Sequence, residues 1–399
     1  MREVGGFFVG TVVYYTEVRW AFMCSSSCQF MLNLEAYMSK KYIGKYTYSA
    51  KQKENPQKNG KKHRPWQWIL LSVFLVLLAL VVCAIIFVFA KLGRINRVDR
   101  NESRISPEDA LTFDATEASD TVPNNSVPET VPHELTYVDY EGRLIGESKD
   151  IVNILLIGQD RREGEGRARS DAMILVSFNT TDNTITISSI LRDTYVQIPG
   201  GYQDDRINVA YAFGGMGLLD ETLEQNFGVY VDGNIEVDFS SFEQIIDILG
   251  GVDIELTQSE ANYLNRELYG EYYAGVNHLG GEAALTYSRI RSLDSDFGRT
   301  SRQRNVLNAL FESFKGIDLS TALELVDEIL PMLTTDMSSM DIIGYVTDLL
   351  PMLSSAKVEN IHIPGDENYY NASIRGMSVL VPDLEACHEQ LREAIMKQG

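Results

Sequence analysis

The sequence predicts an α/β fold: a single extracytoplasmic domain with a central mixed sheet flanked by helices, preceded by one transmembrane helix. Three observations carry this. From residue 150 onward, short β-branched and aliphatic runs alternate with runs of helical spacing, the pattern of strands and helices packed in layers. Residues 69–90, ILLSVFLVLLALVVCAIIFVFA, hold no charge and no proline. Between the two lies a stretch rich in Ser, Thr, Pro, Asn and acid, such as SDTVPNNSVPETVP, with too little apolar content to fold alone.

The first 37 residues are mildly apolar and patternless, and Met38 then opens a basic stretch, MSKKYIGKYTYSAKQKENPQKNGKKHR. Met38 is the expected start, with residues 1–37 an over-extended reading of the gene, and residues 1–68 are expected to form a cytoplasmic tail. At about 1.5 Å per residue, the 69–90 run makes roughly 33 Å of helix, enough to cross a bilayer. It is apolar on every face, unlike a core helix, and lies too far along the chain for a cleaved signal. Residues 1–68 carry 11 basic and 4 acidic side chains, net +7, so the rest of the chain carries −21 − 7 = −28. The basic side is expected in the cytoplasm and the acidic domain outside, a single-pass protein of the cell membrane. Residues 91–147 are expected to be a solvated spacer holding the domain of 148–399 off the membrane.

Within the domain, Ile151–Ile157, Ala172–Phe178 and Thr184–Ser189 read as strands bounded by Gly, Asp and Asn. GLLDETLEQNFG (217–228) and SSFEQIIDILGG (240–251) have helical spacing with glycine stops. Val252–Leu256 follows as a strand and LGGEAALTYSRIR as a helix. Helices are expected within 319–333 and 338–354, then a strand at Val358–Ile363 and a closing helix from Asp383. Cys24, Cys28, Cys83 and Cys387 make no disulfide framework, and Cys24 with Cys28 are too few for a zinc site.

Two arginine runs oppose the acidic bulk. GQDRREGEGRARSD holds Arg161, Arg162, Arg167 and Arg169; YSRIRSLDSDFGRTSRQR holds Arg289, Arg291, Arg299, Arg302 and Arg304. Neither contains lysine, and the planar guanidinium grips phosphate oxygens in pairs. Asp160, Asp171, Asp294 and Asp296 add hard oxygen ligands, so the runs together suit a magnesium-bound pyrophosphate. A solvated surface with incidental ion pairs is the plainer alternative for either run alone. On a helix from Arg299 to Phe314, the residues Val306, Leu307, Leu310, Phe311 and Phe314 share a face that Gln303 and Arg299 continue toward an anion-favouring N-terminus. Such a helix suits an amphiphile with a charged head and an apolar tail. Arg289 and Arg291 cannot face one ligand from a continuous helix, so the helix from Gly281 is expected to end by about Ser288. No Walker loop, HExxH or GxSxG is present. The five histidines flank no nucleophile, and the negative charge of the outer part argues against nucleic acid.

The ordered segments NILLIGQDRR, RARSDAMILVSFN, SSILRDTYVQIPG, RINVAYAFGG, VDFSSFEQIIDILGGVDI, HLGGEAALTYSRIR and DSDFGRTSRQR resemble the LytR-CpsA-Psr family from about Asn153 to Arg304. The resemblance implies a Gram-positive phosphotransferase that moves a glycopolymer, such as teichoic acid or capsule, from undecaprenyl pyrophosphate to peptidoglycan, at the membrane. It implies magnesium on Asp160 and Asp171, and pyrophosphate on Arg169, Arg192, Arg289 and Arg291, with Arg206 at the position where lysine is common before Ile-Asn. Asp296, Arg299 and Gln303 would complete the site, and the lipid-binding interior of the domain would house the prenyl chain. Leu191 stands where proline often precedes the Arg-Asp pair. Asp193 or Asp296 would accept the acceptor's proton. A non-catalytic prenyl-pyrophosphate binder or regulator, and a lipid pyrophosphatase, are the competing readings.

Overall fold

A computed structural model describes residues 88–101, 103–111, 138–140, 142, 144–159, 167–294, 296–314, 325, 328–349, 352 and 355–396. The expected tail and most of the 69–90 run lie outside the described residues. Among those described, no helix is long and apolar enough to cross a membrane.

The frame is a seven-stranded mixed sheet. In chain order its strands are β1 (Asn96–Arg97), β2 (Ile151–Gln159), β3 (Ser170–Asn179), β4 (Thr184–Ile190), β7 (Gly233–Asp238), β10 (Thr334–Thr335) and β11 (Lys357–Ile363), and in space they run β1-β10-β7-β2-β3-β4-β11. β7, β2, β4 and β11 point one way, with β3 antiparallel between β2 and β4. The carboxyl ends of four strands and the start of β3 therefore share one edge, where α/β sheets commonly bind ligands.

The central strands are apolar on both faces because helices cover both. On one face, Leu155, Ile157, Met173 and Leu175 pack with α1 (Asn208–Phe227) and α7 (Leu384–Ile395) through Tyr211, Leu219, Phe227, Leu391 and Ile395. On the other, Val152, Ile154, Ile174, Val176, Phe178, Ile185 and Ile187 meet α5 (Asp296–Phe314) and α6 (Ser339–Leu349) through Leu307, Phe311, Ile342, Tyr345 and Leu349. A smaller cluster unites α2 (Phe239–Ile248), α3 (Gln258–Leu268), α4 (Gly281–Ser288) and the hairpin of β8 (Val252–Leu256) with β9 (Gly275–Leu279). Here α4 presses so closely on α2 that a Cβ at Gly281 would stand 2.1 Å from Glu243 O. Val306, Ala309 and Leu310 face this cluster while Leu307 and Phe311 face the sheet, so the face expected to be continuous on α5 is divided between two cores.

The segment expected as a free spacer begins differently. β1 pairs in parallel with β10 at the sheet's edge. Arg97 bonds Met337 O and Ser339 Oγ, and Arg100 meets Asp336 at 2.5 Å. Leu92 and Ile95 pack with Leu330, Ile342 and Ile343. Chain beyond the expected anchor is thus docked on the domain, because its apolar and arginine side chains find partners there; 112–137 lies outside the described residues.

Candidate functional site

Three guanidiniums converge on Asp171 at the carboxyl edge. Its Oδ1 accepts from Arg192 Nη1 at 2.6 Å and from Arg291 Nη2 at 3.3 Å, and its backbone carbonyl accepts from Arg299 Nη2 at 3.4 Å. Each comes from a different part of the chain: Asp171 is the second residue of β3, Arg192 follows β4, Arg291 lies past α4 and Arg299 sits in the first turn of α5. Burial by itself would raise the Asp171 pKa, but the charges of Arg192, Arg291 and Arg299 outweigh it and hold the carboxyl below the ordinary carboxylate value. Arg299 is 1% exposed, among the largest fully buried side chains of the fold.

A second carboxylate extends the cluster. Asp193 lies 3.7 Å from Arg192 Nε and 3.6 Å from Arg206 Nη1. Arg206 is presented by β6 (Asp205–Arg206), which pairs with β5 (Tyr195–Val196). Both separations exceed ordinary hydrogen-bond length. Arg169, half-buried, directly precedes β3 at the same edge.

The helix α4 ends at Ser288, with Arg289 as its C-cap, at the position expected if both arginines were to face one ligand. Arg291 reaches Asp171, while Arg289 places its guanidinium 4.3 Å above the Phe239 ring, a cation–π contact at the end of β7. Gln303 stands one turn beyond Arg299 on α5. Asp296 begins α5, and Asp160 lies outside the described residues.

Arg302 has a structural task. Its Nε meets Glu260 at 2.7 Å, its two Nη atoms meet Asp294 at 3.0 and 2.5 Å, and Nη1 also bonds Ile290 O. It fixes α5 to α3 and to the loop that carries Arg291. Gly298 makes room for this, since a Cβ there would meet the Asp294 carboxylate at 2.2 Å.

Sequence reasoning missed a buried polar chain behind the edge. Gln159 and Tyr211 both donate short hydrogen bonds to Glu236, and Gln159 Oε1 accepts from Ala168 N at 3.2 Å. This chain holds the strand entering β3, and the polar residues interrupting two apolar strands were its only signal.

Asp171 is a hard oxygen donor kept ionised by its neighbours. It fits magnesium, which takes one or two carboxylates and completes its shell with phosphate oxygens and water. Among the described residues no three His, Cys, Asp or Glu side chains cluster as a self-contained metal site. Arginines facing a carboxylate at an open edge can exchange it for an anion with more oxygens.

The chain is also similar to proteins already known. The LytR_cpsA_psr family profile matches residues 112–394. The polyisoprenyl-teichoic acid–peptidoglycan teichoic acid transferase TagT of Bacillus subtilis is 37% identical over 227 residues, 54% of this chain and 69% of its own. TagU of Bacillus mycoides, named for the same activity, is 35% identical over 219 residues with the same coverage. The crystal structure of Bacillus subtilis TagT aligns at TM-score 0.51 and 30% identity, over 62% of this chain and 92% of that one. A structure of TagT bound to LIIa-WTA aligns at TM-score 0.52 and 31% identity, with the same coverage.

Proposed function

The chain belongs to the LytR-CpsA-Psr family, and on that footing we propose that it transfers a glycopolymer, teichoic-acid-like or capsular, from undecaprenyl pyrophosphate to peptidoglycan. The observation that carries the reading is the convergence of Arg192, Arg291 and Arg299 on Asp171. Phosphoryl transfer asks a protein mainly to position the reactants and neutralise charge. An acceptor hydroxyl attacks the phosphorus that carries the polymer, the bridging P–O bond breaks, and prenyl monophosphate leaves. The arginines hold the pyrophosphate oxygens in line and stabilise the charge that gathers on the leaving phosphate. Asp193 or Asp296 takes the hydroxyl proton. Asp171 with Asp160 would hold magnesium, which supplies further charge neutralisation at the phosphates.

The apolar layer between the sheet and α5, where Leu307 and Phe311 face Ile174, Val176 and Ile187, would house the prenyl chain. The 69–90 run would anchor the protein in the cell membrane with this domain outside, and the docking of Leu92, Ile95 and Arg97 would keep the site near the lipid that delivers the donor. Titration with a prenyl pyrophosphate tests the reading. Arg291→Lys and Arg299→Lys should each weaken binding about tenfold, because the charge stays while the paired donors are lost. Parental affinity in both variants would place the phosphates elsewhere.

A further inference from the structure

Beside the arginine cluster, the same edge carries three rings and a cation that the transfer step leaves unused. Ser189 of β4 is the register partner of His362 of β11, so their side chains leave one sheet face from backbones about 4.8 Å apart. Phe297, in the first turn of α5, meets His362 edge-on at 5.2 Å and stacks on Tyr369 at 5.6 Å between centroids. All three rings are partly exposed. Arg304 comes from the same helix and donates Nη1 to Ser189 Oγ at 2.9 Å. Seven residues separate Phe297 from Arg304, two turns of helix, so both lie on one face about 10 Å apart along the axis. Helical side chains lean toward the N-terminus, which turns Arg304 toward the rings.

Arg302 shows what a structural arginine looks like here: it is buried and bound to two carboxylates. Arg304 is half-buried, its hydrogen bond goes to a neutral hydroxyl, and among the described residues no carboxylate lies within ion-pair distance. Burial alone pulls its pKa down, with no acid to offset it. A guanidinium has five donors, so the fork retains capacity for an anion. The partly exposed rings offer apolar surface to the C–H face of a sugar, and Asp366, 3.2 Å from His362, adds an acceptor for hydroxyls.

We infer that this patch is a subsite for a pyranose bearing an anionic substituent, its ring against Phe297, His362 and Tyr369 and its anion on Arg304. The inference deepens the transferase reading by naming the class of sugar beside the phosphates, since Phe297 lies two residues before Arg299.

The test uses the full chain in detergent, with methyl glucuronide and methyl glucoside as probes, one ring with and without a carboxylate. Ligand-observed NMR titration should show the glucuronide binding about tenfold tighter. Arg304→Gln should erase that preference and leave the weak binding common to both, while Phe297→Leu should weaken both sugars. If Phe297→Leu does not fold, Tyr369→Leu replaces it with the same expectation. Inorganic pyrophosphate is titrated in parallel and should bind each variant as it binds the parent, so the arginine cluster is judged separately. Equal binding of the two sugars by the parent, or a preference that survives Arg304→Gln, overturns the subsite. So does a loss of pyrophosphate binding in Arg304→Gln with sugar binding intact, which would assign Arg304 to the phosphates.

Discussion

Arg302 and Arg304 lie two residues apart on α5, and truncating each to methionine should have very different effects on stability. Arg302 makes three hydrogen bonds to two carboxylates, and its side chain is 6% exposed. Asp294 is 41% exposed and can return to water, so the loss concentrates at Glu260, 10% exposed. Glu260 keeps only its bonds from Thr257 N and Oγ1, at 2.9 and 2.8 Å. Breaking a buried pair from one side costs about 3–5 kcal/mol, and the exposure of Asp294 argues for the lower end. A domain of this size loses roughly 2–4 °C per kcal/mol, so Arg302→Met should melt about 6–12 °C below the parent. Arg304→Met removes a partly desolvated charge and one bond to a neutral hydroxyl. Its cost should stay within about 1 kcal/mol. Calorimetry of the two variants and of the pair Arg302→Met with Glu260→Gln decides the matter, since neutralising Glu260 should recover part of the loss. Equal melting temperatures for the two single variants would refute the division of labour.

Other consequences follow from the same geometry. Asp171→Asn should abolish transfer and alter the acid limb of stability. The Asp171 pKa is held down by Arg192, Arg291 and Arg299 against burial, so its contribution is complete above about pH 4 and lost as pH falls further; acid titration should show the parent losing stability more steeply there than the variant. Burial pushes Asp220 up to about 8 despite Arg100 and Asn234, so it opposes folding increasingly as pH rises from about 4 to 8. Asp220→Asn should therefore gain in melting temperature relative to the parent at pH 8 more than at pH 5, and an equal difference at both would contradict this. Phe311→Glu should impair discrimination between short and long prenyl pyrophosphates, whereas Leu310→Glu, which faces the α2–α4 cluster, should cost stability alone; the reverse pattern in binding assays would move the prenyl chain.

The strands β2, β3, β4, β8 and β11 and the closing helix were legible as β-branched and aliphatic runs and as a helix opening at Asp383, whereas β7, with polar Asn234, Glu236 and Asp238 between its apolar residues, was not. The end of α4 at Ser288 was legible from a geometric conflict between two arginines. The helix α3 was not, as its residues are mostly polar and its start rests on a Thr257–Glu260 capping box. The hairpin of β12 (Tyr369–Ile374) and β13 (Met377–Pro382) was likewise missed, since Arg375 turns at a positive φ of 53° where glycine or asparagine is the usual signal. Within the site, residue type announced anion binding, but only contacts separated Arg291 and Arg299, which reach Asp171, from Arg302, which holds two acids. Charge and spacing do not encode which neighbour a long side chain reaches.

The central claim is that the Asp171 cluster supports transfer to a sugar hydroxyl. Its most direct test combines purified protein, magnesium, a prenyl-pyrophosphate-linked sugar and peptidoglycan fragments, with mass spectrometry of the products. A phosphodiester joining the two glycans, absent with Arg299→Lys or Asp171→Asn, is the predicted result. Release of a free sugar phosphate with no linked product would identify a pyrophosphatase, and tight binding without turnover would identify a carrier; either contradicts the account.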